Sequence, residues 1–367
     1  MDRRHFFRVA GTASAGIVLP GLGGNASAQG ASPAPGPAGA WKTYEVTTRV
    51  EVLKPVGVTR IWLPTPLSTD TPYQRSMGNI WSSESGTVSF GTDPLYHAGM
   101  VWAEFEEGER AVLTLVSRFA TRDIAVDLSR PGNPRPESAA TLRKYVAPTE
   151  LLPTDGIVKE TSSAIVKGVS GDLHKARAIY DWVVDNTFRD PKTRGCGTGD
   201  IKFMLENNVL GGKCADLNAL YVALARAEGI PARDVYGVRV AGSKLGYKSL
   251  GKTGGDITGA QHCRAEVYLA DYGWVPVDPA DVRKVILEED GGKKKDDPMV
   301  TAARERLFGS WEMNWLGYNY AHDLALPGSS KGRIGFLMYP QAETAQGRLD
   351  SLDPGNFRYT ITAKEIA

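Results

Sequence analysis

The feature that most constrains the fold is a glycine-led entry into a helix. Gly211-Gly212-Lys213-Cys214 turns the chain, and Leu217, Leu220, Tyr221 and Leu224 then form one apolar stripe that stops at Gly229 with Pro231 just beyond. A helix starting near Cys214 with an apolar face needs a partner layer, and the strands that follow it supply one. Val235 to Val240, Ala265 to Leu269 and Trp274 to Val277 are rich in β-branched and aromatic residues, with Asp271-Tyr272-Gly273 as the hairpin turn between the last two. An earlier amphipathic helix is expected over Asp172 to Thr187, where Leu173, Ala176, Ile179, Tyr180 and Val183 recur at three- and four-residue spacings. Helices and strands together make this a mixed body.

The front of the chain has the other period. Thr43 to Val52, Thr59 to Leu63 and Ala111 to Val116 read as strands punctuated by Pro, Gly, Ser and Asp, which predicts an antiparallel β-sandwich-type domain over residues 41–130. Arg130-Pro131-Gly132-Asn133-Pro134-Arg135-Pro136 is stiff and polar, and it divides that region from a body over residues 137–367. Before both comes an address. Arg3-Arg4-His5-Phe6-Phe7 followed by the apolar run Val9 to Leu22 has the layout of a twin-arginine signal over residues 1–28, with Ala26-Ser27-Ala28 as its cleavage site and residues 29–40 as a linker. Such a signal sends a folded protein to the periplasm or cell envelope. Its apolar run is too short to span a bilayer, and no later stretch reaches the roughly 20 apolar residues a membrane helix needs.

Charge excludes some partners. The chain carries 43 basic and 42 acidic side chains, and removal of Arg3, Arg4, Arg8 and Asp2 with the signal leaves 40 against 41. No large field remains to hold nucleic acid or an anionic surface. Three cysteines, Cys196, Cys214 and Cys263, are too few for a disulfide scaffold or a four-cysteine zinc site, and no calcium loop is visible, so neither cofactor nor metal is assigned. In an exported chain two of the three can pair, and Cys196 with Cys263 is the candidate disulfide.

The chemistry converges on Cys214. A thiol at a helix start is favoured as thiolate by the helix N-terminus and by Lys213. It needs a base. Of the histidines that survive removal of the signal, His262 heads the strand Arg264 to Leu269, whose hairpin returns to Asp278, so a carboxylate can fix the imidazole from the neighbouring strand. Asn208 and Trp182 are candidates for a side-chain oxyanion donor. His322-Asp323 reads as core rather than cleft, and Lys293-Lys294-Lys295-Asp296-Asp297 as a solvated loop. Gly246-Tyr247-Lys248-Ser249-Leu250-Gly251-Lys252-Thr253 matches the text of a phosphate-binding loop, but Gly254-Gly255 is a poor helix start, which leaves a mobile segment that could act as a lid.

Gly212-Lys213-Cys214-Ala215-Asp216-Leu217, Ala225 to Arg233, His262-x-x-x-Glu266-Val267 and Gly273-Trp274-Val275-Pro276-Val277-Asp278-Pro279 resemble, in order and spacing, the three core motifs of the transglutaminase-like superfamily. The resemblance covers Asp172 to Asp281, and the Tyr145 to Thr149 region and the C-terminal third resemble bacterial members more loosely. It implies a papain-like α+β core in which Cys214 is nucleophile, His262 general base and acid, and Asp278 the orienting carboxylate. Arg264 departs from the aromatic residue the family often has two places after the histidine, which bears on substrate preference. The reaction implied is attack on an amide or ester carbonyl of a protein or peptide, with an acyl-enzyme passed to water or to an amine. Peptidase or amidase action leads; transamidation and a non-catalytic binding module are the alternatives. Oligomeric state is not readable.

Overall fold

The computed structural model describes residues 39–367. The signal read over residues 1–28 and nearly all of the linker at 29–40 lie outside the described residues. Among the described residues no helix is long and apolar enough to cross a membrane.

The front strands are β1 (Lys42–Val52), β2 (Thr59–Pro64), β3 (Gln74–Ser82), β4 (Thr87–Thr92), β5 (Gly99–Phe105) and β6 (Val112–Thr121), with a two-residue β7 (Ile124–Ala125) after them. Along β1 the buried residues Tyr44, Val46, Thr48, Val50 and Val52 alternate with half-buried ones, as a strand with one face on a core requires. Seven helices then enter the chain: α1 (Ala139–Val146), α2 (Gly156–Ile165), α3 (Asp172–Asn186), α4 (Ile201–Glu206), α5 (Cys214–Ala227), α6 (Pro279–Glu288) and α7 (Pro298–Arg306). Short β8 (Phe188–Arg189) and β9 (Gly211–Gly212) pair in parallel just before α5. The body's strands are β10 (Ala232–Arg239), β11 (Gln261–Leu269), β12 (Gly273–Val277), β13 (Ser310–Trp311) and β14 (Trp315–Asn319), and the chain closes with β15 (Gln341–Thr344), β16 (Gly347–Arg348) and β17 (Phe357–Glu365).

Two sheets of the front region, ordered β17-β1-β6-β3 and β16-β15-β2-β5-β4, enclose a core of Val50, Ile61, Leu63, Val101, Phe105, Leu113 and Phe357. The strand-rich layer expected over residues 41–130 is thus completed by chain from 341–365, because β17 covers the free edge of β1 along nine paired positions. The N-terminal half of the same buried face of β1 joins the body: Tyr44, Val46, Phe119 and Ile361 pack on Val238, Val240, Leu316 and Tyr318.

In the body, antiparallel β12-β11-β10-β14 forms one sheet against which α5 lies. Every residue of α5 from Cys214 to Arg226 is buried. Burying each of Leu217, Leu220 and Leu224 contributes about 1.5–3 kcal/mol, and no solvated face is left to let the helix roll. Gly229, at φ +78°, ends the helix in the left-handed region that glycine adopts without strain. The close approach of β10 to β14 depends on Gly237, where a Cβ would meet the Leu316 carbonyl oxygen at 2.1 Å.

Candidate active site

The thiol is set by its approach. Gly211 lies so close to Phe188 that a Cβ would meet the ring at 2.3 Å, and a Cβ on Gly212 would meet the Asp216 side chain at 2.6 Å. Only two glycines allow this entry. Asp216, in the first turn of α5, accepts from the backbone N–H of Lys213 at 3.0 Å and from those of Thr198 and Gly199 at 2.9 Å each, so one carboxylate ties both the helix start and the 190–200 loop together. The Lys213 ammonium, expected near the thiol, instead donates to the Thr193 carbonyl at 2.7 Å.

His262 and Asp278 are brought together as the hairpin requires, with His262 Nε2 2.8 Å from Asp278 Oδ2. That leaves Nδ1 for a partner on the other side, and the imidazole acts to lower the pKa of the Cys214 thiol. Asp278 also caps α6, accepting the Asp281 N–H at 3.0 Å, with Pro279 at the first helical position. Asn218, one turn along α5 from Cys214, donates to Asp278 Oδ1 at 3.2 Å and to the Cys263 carbonyl at 2.8 Å, and its own oxygen accepts from Ala280 N–H at 3.3 Å. The same helix thus carries the thiol and a residue that orients the carboxylate. Trp315 Nε1 donates to the His262 carbonyl at 3.0 Å and fixes the strand behind the ring.

Behind this trio lies a second buried layer. Asp281 Oδ1 is 3.4 Å from His262 Nε2, and Arg239 Nη2 reaches both Asp281 oxygens at 2.6 and 2.8 Å. Arg264 Nε stands 3.7 Å from Asp278 Oδ2, with its guanidinium 5.2 and 4.9 Å from the ring centres of Trp311 and Trp315. This corrects the reading of Arg264 as a substrate-preference position: it is 2% exposed and faces the carboxylate. The fit to a metal is poor although His262, Asp278 and Asp281 offer atoms within 4.8 Å of one another, because the Asp281 oxygens already hold a guanidinium.

The electrostatics follow from these contacts. The Cys214 thiol is held well below its ordinary range: hydrogen bonds from Cys196 and Cys263 act first, burial opposes them, and His262 adds a hydrogen bond and positive charge. Burial and Arg239 act against a protonated His262, but Asp281 and Asp278 outweigh them and raise it to about 9. Burial and the neighbouring Asp281 raise Asp278, while Asp281 stays well below the carboxylate range because Arg239 overcomes its burial. With a thiolate and an imidazolium, Cys214, Asp278 and Asp281 are balanced by His262, Arg239 and Arg264. Such a closed set tolerates burial that an isolated ion would not.

The other candidates fall elsewhere. Asn208 is exposed just past α4, at φ +52°, and Trp182 is half-buried on α3 against the hydrophobic core; no hydrogen bond links either to the trio. His322 is a core residue, 3.0 Å from Asp234 and 3.4 Å from the Tyr236 hydroxyl. The 246–253 segment holds only a 3-10 turn at Lys248–Leu250, and the Leu250 carbonyl accepts from Arg239 at 2.7 Å and Asn314 at 2.9 Å, so it backs the charge network and is tied down there. The Cys196–Cys263 disulfide is not formed: all three cysteines are free. Asn218, Arg239 and Asp281 were not singled out from the sequence. Asn218 carried a signal, its four-residue offset from Cys214, and Asp281 another, its place three residues after a helix cap.

Comparison with known proteins agrees with the geometry. The sequence model of the transglutaminase-like superfamily matches residues 159–279. A protein of Haemophilus influenzae (strain ATCC 51907 / DSM 11121 / KW20 / Rd), known only as an uncharacterized protein, is 35% identical over 342 residues, which is 88% of this chain and 91% of that one. The chain belongs to the transglutaminase-like superfamily. Among solved structures, a "putative cysteine protease" from Cytophaga hutchinsonii has the same fold, at a TM-score of 0.50 and 15% identity over 89% of this chain and 99% of that one. The periplasmic domain of TgpA from Pseudomonas aeruginosa aligns at a TM-score of 0.34 and 14% identity over 67% of this chain and 91% of its own.

Proposed function

We propose that the protein is an exported thiol hydrolase that cleaves an amide bond of a protein or peptide through Cys214, His262 and Asp278. The observation that carries this reading is a Cys214 placed at the N-terminus of α5 with a His262 that Asp278 holds at 2.8 Å. The thiolate attacks the carbonyl carbon, and the oxyanion forms beside the Cys214 N–H, the first amide of α5. The next amide is not available, because Ala215 N–H already donates to the Cys196 carbonyl at 2.9 Å. His262 Nδ1–H protonates the leaving amine, an acyl-enzyme remains, and the now neutral imidazole draws a proton from the water that releases it. Asp278 keeps Nε2 protonated throughout and stabilises the imidazolium. Export rests on Arg3-Arg4 and the apolar run behind them, and it would place the enzyme in the periplasm or cell envelope.

The test is alkylation of the full protein across pH, located by mass spectrometry, beside release of fluorescent peptides from a labelled protein substrate. Cys214 labels near neutral pH, and both labelling at that pH and peptide release are lost in His262→Ala. A Cys214 that stays inert below about pH 8.5, like an ordinary thiol, would overturn the hydrolase and favour a binding module. Release of cross-linked product in place of peptides would make an amine the acyl acceptor.

A further inference from the structure

Cys196 is not needed for the chemistry above, yet it lies against the nucleophile. It follows Gly195 and precedes Gly197 in the 190–200 loop, and its carbonyl accepts the N–H of Ala215, the residue directly after Cys214, at 2.9 Å. That bond holds the two main chains side by side at the start of α5. Cys196 Sγ also reaches the Gln261 carbonyl at 3.4 Å, just before His262.

We propose that Cys196 is the resolving thiol of an oxidative modification site, forming a reversible disulfide with Cys214 when a hydroperoxide reaches the cleft. The proposal rests on the reading of Cys214 as the reactive thiol. In the first step the Cys214 thiolate attacks one peroxide oxygen, the O–O bond breaks, and hydroxide leaves to take a proton as water, giving a sulfenic acid. In the second, the Cys196 sulfur attacks the Cys214 sulfur, the S–O bond breaks as S–S forms, and the departing hydroxide takes the Cys196 proton. Two thiols lose two electrons and two protons, and one hydrogen peroxide becomes two waters.

Cys263, the residue after His262, is the other candidate partner, and the backbone chooses between the two. Cys263 sits inside β11, paired to Tyr236 of β10, wholly buried, with its sulfur against Met338 at 3.7 Å and its carbonyl held by Asn218. Moving it would break the sheet. Gly195, Gly197 and Gly199 all have positive φ, at 56°, 94° and 72°, so the loop carrying Cys196 turns through glycines on both sides while Asp216 keeps it anchored one turn into the helix. While Cys214 is a thiolate, Cys196 is kept protonated, first by its hydrogen bond to Cys214 and then by burial. Oxidation removes that negative charge and frees Cys196 to lose its proton.

The experiment treats the full chain with hydrogen peroxide, blocks remaining thiols and maps peptides without reduction. The expected product is a linked pair of Cys196 and Cys214 peptides, with dithiothreitol restoring nearly all Cys214 labelling. In Cys196→Ser, and likewise in Cys196→Ala, Cys214 instead gains two or three oxygens and nearly all of its labelling is lost for good, whereas Cys263→Ser still forms the link. A wild-type Cys214 oxidised as irreversibly as in Cys196→Ser, or linked to Cys263, overturns the proposal and leaves the hydrolase intact. Loss of all reaction at Cys214, toward both peroxide and alkylating reagent, would overturn the hydrolase reading and this proposal together.

Discussion

Among the described residues two buried histidine–aspartate pairs have nearly the same geometry, and under the proposed function only one of them does chemistry. His262 is 2.8 Å from Asp278, and His322 is 3.0 Å from Asp234. Both rings are almost wholly buried. They differ in what stands on the other side. His262 has a thiol at a helix N-terminus and a second carboxylate held by Arg239; His322 has the Tyr236 hydroxyl, and Tyr236 is itself stacked on Phe336 with ring centres 4.8 Å apart. A histidine–aspartate contact is therefore no signature of a site by itself. Under the proposed function, what makes one is a nucleophile and a balanced set of charges that keep the imidazole protonated beside a thiolate.

The largest expected effect would break this contrast if it failed. Cys214→Ala and His262→Ala lower kcat on the order of 10⁴-fold or more while leaving the far-ultraviolet circular dichroism unchanged. His322→Phe does the reverse: turnover per folded molecule stays, and urea unfolding shows a loss of about 3 kcal/mol because Asp234 loses its partner in the core. A His322 variant that unfolds normally but does not turn over would show that the second pair is also catalytic. Next in size is Asp278→Asn, which keeps shape and removes charge; kcat falls about 10²–10⁴-fold with little change in KM, as steady-state kinetics would show.

A smaller effect concerns the second layer. His262 is raised to about 9 from its ordinary value, with Asp281 the largest group acting upward, so the imidazolium that protonates the leaving amine is present up to that pH. The kcat profile should rise on its acid limb as Cys214 becomes a thiolate and fall on its alkaline limb near pH 9. Asp281→Asn removes one of the two carboxylates, and the alkaline limb moves toward neutrality. The linked stability has the matching sign. A raised histidine stabilises the fold fully below its ordinary pKa of about 6.5 and loses that contribution as pH rises through about 9, so the variant's unfolding free energy varies less over this window. An unchanged alkaline limb in Asp281→Asn would mean that Asp278 alone sets the proton.

The contrast also marks what can be read from a sequence. Cys214, His262 and Asp278 were legible because each sits at a punctuated position: after a glycine pair, at a strand head, and between a hairpin and a proline. The trio's geometry then follows from local elements. Arg239 was not legible, because its approach to Asp281 depends on the pairing of Gly237 with His262 across β10 and β11, a register that no single segment encodes. The same limit applies to the front region, where β1 pairs with β17 from the opposite end of the described chain, at partners such as Tyr44 and Glu365. The cysteines mislead for another reason. Their count suggested that two would pair and leave one free, whereas all three are free, with the 190–200 loop and β11 both converging on α5.

The finest test of the contrast is Tyr236→Phe. The hydroxyl lies 3.4 Å from His322 Nε2, a ring nitrogen that Asp234 already engages at 3.0 Å, so the hydroxyl contact is the longer of two competing for one atom. Its removal leaves no charge unpaired and preserves the ring stacked on Phe336. The cost in urea unfolding should be about 1 kcal/mol or less, with kcat and Cys214 labelling unchanged. A much larger loss would mean that the hydroxyl serves Asp234 as well, whose Oδ1 is buried without a partner among the described residues. In that case the second pair would be a three-group structural network, held together by the same hydrogen-bonding logic as the first but with a phenol where the first has a thiol.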